Sequence, residues 1–233
     1  MVHPPAGGGR LDGGEVVAIG AGEGEATVDA VVGSRSHDWL VEGEAVLRAV
    51  TPLLDMTAGG MFCLFTSHRA LNNARYWFRQ RRSVLGGRKL LVQGTAPRDD
   101  LTRRFRDAGN AVLLGTGSFW EGIDVRGEAL TVVMIDKLPF ASPGDPLTMA
   151  RLEYLRREGG NGFMQHQLPQ AVLALKQGAG RLLRSETDYG VILIGDPRVT
   201  GKRYGQLFLD SLAPMPHTSE LAEVAAFFAA HRE

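Results

Sequence analysis

Between Met61 and Ile194 the sequence alternates short apolar runs with longer amphipathic stretches, and this alternation restricts the fold more than any other feature. The runs MFCLFTS (61–67), KLLVQG (89–94), AVLLGT (111–116), ALTVVMID (129–136) and YGVILIGDPR (189–198) read as strands buried on both faces, ending in glycine or polar residues. Between them lie helical patterns. HRALNNARYWFRQRR (68–82) offers Leu71, Ala74, Tyr76 and Phe78 for packing, and PRDDLTRRFRDAG (97–109) has Pro97 near its first turn. DPLTMARLEYLRREGG (145–160) is ended by glycine, and GFMQHQLPQAVLALKQGAGRLLRS (162–185) is interrupted at Pro169 and at its glycines. Ahead of the first run, DWLVEGEAVLRAVTPLLDMT (38–57) has the helical period, with Asp38 as N-cap and a kink expected at Pro52. SELAEVAAFFAAH (219–231) closes the chain as a helix with Leu221, Val224, Ala225 and Phe228 on one face. Strands alternating with helices predict an α/β fold with a parallel sheet covered by helices on both faces. Sheets of that kind bind ligands at the carboxyl ends of their strands.

Residues 1–37 are rich in glycine and small residues and show no sustained period, so they are expected to be a poorly structured lead-in to a domain over 38–233. The GAGEG at Gly20–Gly24 has its third glycine misplaced for a dinucleotide fingerprint. No apolar run approaches the roughly 18 to 20 residues of a membrane span, and the start lacks the order of a secretory signal, which points to the cytoplasm and to no membrane partner. A single cysteine, Cys63, excludes an internal disulfide framework and a four-cysteine metal site. The six histidines are scattered, so no metal site is expected.

The formal net charge is zero, yet the charge is unevenly placed. Residues 1–60 carry three arginines against nine acids, a net of −6. From Thr66 to Arg106 eleven Lys and Arg face only Asp99 and Asp100, a net of +9. An excess of that size is either a solvated face or the footprint of a polyanion.

Two motifs stand at the ends of core segments. In GTGSFWEGID (115–124) the chain leaves a strand at Gly115 and turns through Gly117 and Gly122, which let the backbone approach a ligand closely. Glu121 and Asp124 can accept hydrogen bonds there, and Phe119 and Trp120 either stack on a base or fill the core. In QGAGRLLRS (177–185) Arg181 and Arg184 lie three apart, on one face of a helix, after a turn opened by Gly178 and Gly180. Two planar guanidiniums so placed suit a phosphoryl group, although surface ion pairing also accounts for such a pair.

Together the segments resemble the second motor domain of superfamily 2 helicases, within them the DinG/XPD-like DNA helicases. LFTSHRAL (64–71) resembles motif IV, GTGSFWEGIDV (115–125) motif V, and QGAGRLLRS motif VI. KLPFASPGDP (137–146) is similar to the proline-rich segment after motif V, and Gln93–Gly94 also fits. The resemblance implies a RecA-like domain of an ATP-driven motor that translocates on single-stranded or forked DNA and serves DNA repair. It implies that Arg184 is an arginine finger with Arg181 and Gln177 beside it at the γ-phosphate. It further implies that Gly122, Asp124, Glu121 and Gly180 line the nucleotide side, and that Thr66, Ser67, His68, Arg69, Ser118, Phe119 and Trp120 contact DNA.

A P-loop is missing: GDPRVTGKR, from Gly195, has one residue too many and Arg203 where Ser or Thr should stand. No DExH-type box is present either. ATP and Mg²⁺ are therefore expected to be held mainly by a first motor domain in another segment or chain, which would also carry the family's iron–sulfur cluster. The chain alone is expected to be inactive. The alternative is a non-catalytic nucleic-acid-binding module that keeps the basic face of residues 66–106.

Overall fold

The computed structural model describes residues 15–20, 39–120, 129–142, 144–180, 189–212 and 215–231. Seven strands form one sheet: β1 (Glu15–Gly20), β2 (Gly60–Phe65), β3 (Leu90–Val92), β4 (Val112–Thr116), β5 (Leu130–Ile135), β6 (Tyr189–Ile194) and β7 (His217–Thr218). Their order is β3-β4-β2-β5-β6-β1-β7, and every pairing is parallel. The helices are α1 (Trp39–Met56), α2 (His68–Gln80), α3 (Arg98–Ala108), α4 (Gly117–Trp120), α5 (Pro146–Arg157), α6 (Leu168–Ala179), α7 (Arg198–Gly201), α8 (Gly205–Ser211) and α9 (Leu221–Ala230).

The apolar runs become strands because they can be buried on both sides. Successive residues of a strand point to opposite faces, and β2 shows the consequence. Met61, Cys63 and Phe65 enter a core shared with α1, α2 and α9, while Phe62 and Leu64 enter a second core beside Phe105 of α3, Leu175 of α6 and Phe208 of α8. β5 divides in the same way, with Val132 and Met134 on the first side and Val133 and Ile135 on the second. Each such side chain, fully withdrawn from water, contributes about 1.5–3 kcal/mol. Cys63 is among them, and burial pushes its thiol far above the ordinary range, so it acts as a small hydrophobe.

The helix ends follow local chemistry. The Ser67 hydroxyl accepts from the Ala70 N–H at 3.1 Å to cap α2, and the Asp145 carboxylate accepts from the Thr148 N–H at 2.7 Å to cap α5, with Pro146 in its first turn. α3 stops at Gly109, which takes the left-handed conformation at φ 68°.

Several expectations need correction. No strand was expected before Asp38, yet Glu15–Gly20 pairs with β6 over its whole length. β7 was also unforeseen, since two residues hold no period and are positioned only by pairing with β1. Pro52, where a kink was expected, lies inside α1, and Asp38 lies outside the described residues. Pro169 does not interrupt a helix. A π-helical turn over Phe163–Gln167 runs directly into α6, so the helical backbone changes from π to α just before Pro169 and does not stop there. On α2 Phe78 is in the core as expected, but its aromatic companion there is Trp77, and Tyr76 is 66% exposed.

Candidate functional site at the strand ends

The central strands β2, β4 and β5 end side by side, because Phe65 stands opposite Thr116 and Leu64 opposite Ile135. The residues that follow therefore gather at one edge of the sheet. After β2, Thr66, Ser67, His68 and Arg69 are all exposed, and the last two begin α2.

This loop is held from below by Asp136, the residue after β5, which is only 4% exposed. Its Oδ1 accepts from the backbone N–H of Thr66 at 2.9 Å and from that of Lys137 at 2.8 Å, and the Thr66 hydroxyl donates to Oδ2 at 3.5 Å. Burial pushes the Asp136 carboxyl up to about 7; the Thr66 and Lys137 N–H groups and the Lys137 charge oppose it, while the Asp196 charge adds to it. A buried carboxylate thus sets the position of the exposed segment TSHR.

The end of β4 is fixed from the opposite side. Gln93, just past β3, accepts through Oε1 from the Thr116 N–H at 2.6 Å and from the Thr116 hydroxyl at 3.0 Å. Gly117 then opens α4, which holds Ser118, Phe119 and Trp120. Phe119 is 4% exposed and meets Phe62 edge-on, ring centroids 6.4 Å apart. Of the two roles left open for Phe119, stacking on a base or filling the core, its ring occupies the core position here. A Cβ added at Gly115 would come within 3.1 Å of both Phe119 Cβ and Phe62 Cε2, so the glycine lets that ring fold back over the strand.

Beyond β6, Asp196 is 2% exposed and accepts from the Leu138 N–H at 2.8 Å and the Arg198 N–H at 2.9 Å. Arg198 also binds that carboxylate through its guanidinium and lies 5.1 Å from the Phe140 ring. The decoy segment from Gly195 is thus a structural clamp on the proline-rich stretch after β5.

Of the residues expected at the nucleotide, Gln177 is exposed in the last turn of α6, and Gly180 follows the helix as its C-cap, its N–H donating to the Lys176 carbonyl at 2.9 Å. α6 belongs to the face of the sheet opposite α2. Arg181, Arg184, Glu121, Gly122 and Asp124 lie outside the described residues. Sequence reasoning missed Asp136 and Asp196 as site residues; the signal was an apolar strand ending directly in, or one glycine before, an aspartate. Among the described residues no group of three or more His, Cys, Asp or Glu could hold a metal ion, and no helix is long and apolar enough to cross a membrane.

Comparison with known proteins agrees with this architecture. The chain is 45% identical over 185 residues to the ATP-dependent DNA helicase YoaA of Escherichia coli K12, a stretch covering 79% of this chain and 28% of that protein. It is 44% identical over 174 residues to the 3'-5' exonuclease DinG of Bacillus subtilis 168, covering 73% of this chain and 18% of that protein. The chain thus spans less than a third of the length of either relative. A solved structure of apo XPD superposes with a TM-score of 0.61 at 14% identity, over 88% of this chain and 40% of that one, and so shares its fold. The helicase C-terminal domain family matches residues 50–215, which contain β2 to β6 and every strand-end contact described above, and the chain belongs to that family.

Proposed function

We propose that the chain is the second RecA-like motor domain of a DinG/XPD-type ATP-dependent DNA helicase. In this reading Thr66, Ser67, His68 and Arg69, with the α4 turn, hold the backbone of single-stranded or forked DNA. Gln177, Arg181 and Arg184 face the γ-phosphate of an ATP whose other contacts, with Mg²⁺, lie in a first motor domain. ATP hydrolysis supplies the energy, and this chain's part is to present cations to the phosphate and to move its strand-end grip with the nucleotide state. Such a contribution from an arginine finger is worth about 10³ to 10⁵ in rate. The single cysteine is buried in β2, so an iron–sulfur cluster would be carried by the first motor domain. A cytoplasmic location goes with a protein acting on DNA.

The observation that carries the reading is the fixing of the exposed segment TSHR at the centre of the sheet by a buried carboxylate. A support of that rigidity suits a loop that tracks a phosphate chain. The test joins this chain to the first motor domain of the Escherichia coli relative and measures ATPase with and without single-stranded DNA. DNA-stimulated hydrolysis that Arg184→Ala abolishes is the expected result. Salt-sensitive DNA binding with no ATPase in any combination would instead favour a non-catalytic nucleic-acid-binding module.

A further inference from the structure

A groove of about 540 Å³ lies between α2 and the edge strand β3, lined by Arg75, Arg79 and Arg82 along one side and by Gly87, Leu90 and Thr95 along the other. Arg75 and Arg79 are one helical turn apart, about 6 Å along the axis, and Arg82 continues the row in the short 3₁₀ turn Arg82–Leu85. Two neighbouring arginines are already committed. Arg81 pairs with Glu44 at 3.1 Å and lies over the Trp77 ring, and Arg88 is turned inward onto backbone carbonyls. Arg75, Arg79 and Arg82 make no ion pair among the described residues, and no Asp or Glu occurs in the sequence between Asp55 and Asp99.

The negative end of the α2 dipole accounts for cations in the last turn, but not for Arg75 in the middle of the helix. Of the apolar residues that line the groove, Phe78, Leu85 and Val92 are 0%, 7% and 5% exposed, and Leu90 is partly exposed. That leaves little apolar surface for the anchoring side chain of a peptide. A row of charged forks over a floor without exposed aromatic rings suits instead a chain of phosphates whose bases point outward. At Thr95 the groove reaches the carboxyl end of β3, the end of the sheet at which Gln93 holds Thr116 and at which the TSHR loop follows β2.

We propose that this groove is a second, sequence-independent contact for the phosphate backbone of DNA, which takes up the strand as it leaves the TSHR loop and runs down the β3 edge. The inference rests on the DNA-binding reading above.

The experiment titrates the full chain with a fluorescent 20-mer of thymidylate across a range of salt concentrations. About −0.7 in the slope of log K against log salt is expected for each phosphate neutralised on a single strand. Arg75→Ala/Arg79→Ala/Arg82→Ala should therefore lower the steepness by about 2 and weaken binding at least tenfold at low salt. Arg75→Lys/Arg79→Lys/Arg82→Lys should keep most of the slope. The wild-type chain provides a readout independent of folding, since bound DNA should shield these three arginines from phenylglyoxal while Arg156 stays reactive. Binding with an unchanged slope and no shielding overturns the groove and leaves the strand-end reading intact. Absence of DNA binding by the wild-type chain overturns both. Shielding by polyglutamate but not by DNA overturns the proposal in favour of an acidic protein partner.

Discussion

Gln93 and Thr116 are joined by two hydrogen bonds to one side-chain oxygen, 2.6 Å from the Thr116 N–H and 3.0 Å from its hydroxyl. Thr116 is 6% exposed, so without Gln93 its backbone donor would be left in the interior with no partner. Gln93→Ala should cost about 1–3 kcal/mol in urea denaturation. Gln93→Glu keeps an acceptor at the same reach and should lose less. Equal losses in the two variants would mean that packing, and not the hydrogen bonds, is what matters at this position.

Arg88 ties three turns together at the other end of the strands. Its guanidinium donates to the carbonyls of Leu54 at 2.7 Å, Gly59 at 2.7 Å and Asn110 at 2.9 Å, and to that of Thr57. The last carbonyls of α1 have no partners within the helix, and Arg88 supplies them. Arg88→Ala should cost at least about 2 kcal/mol by urea denaturation. Arg88→Lys should recover only a minor part, since a point charge cannot span carbonyls that a planar fork reaches together.

How far the sequence could be read depended on whether a signal was local. MFCLF and LTVVMI are apolar enough to announce strands buried on both faces, and Ser67 and Asp145 lie where a helix start needs a cap. VVAI (16–19) is also apolar, but it is short and sits among glycines, and its place between β6 and β7 depends on a strand some 170 residues later. Asp136 was invisible as a support because its partner Thr66 is 70 residues away and the bond is to a backbone N–H, which has no residue signature. The choice of Tyr76 over Trp77 failed because a helix stripe of about 100° leaves room for either neighbour, and only the position of α2 on the sheet decides between them.

Asp136 gives the chain a specific pH response. Its carboxyl titrates near 7 in the folded protein against 3.8 ordinarily, so between about pH 4 and pH 7 the folded state holds a proton that the unfolded state has released. Stability from this group therefore falls as pH rises through that window, by at most about 1.4 kcal/mol per pH unit, and is level above it. Asp136→Asn cannot titrate and retains an oxygen for the Thr66 N–H. The difference in urea midpoint between the two proteins should shift in favour of the variant from pH 4.5 to pH 7. A constant difference across that range would show that the carboxyl is charged throughout and that Lys137 outweighs burial.

Phe119 separates a core role from a DNA role at the start of motif V. Its ring is buried against Phe62 and closes over Gly115, so Phe119→Ala should leave a cavity and cost about 3–5 kcal/mol. Phe119→Leu fills most of that space and should cost much less. DNA affinity, measured where each variant is fully folded, should be nearly unchanged in Phe119→Leu, because no base meets the ring. If stacking were the role, the order would reverse: stability would hardly change in either variant, and both would lose about 1–3 kcal/mol of binding per base. Thermal melts and anisotropy titrations on the same two proteins distinguish the cases, and a stable Phe119→Ala with weak DNA binding would place the ring outside the core.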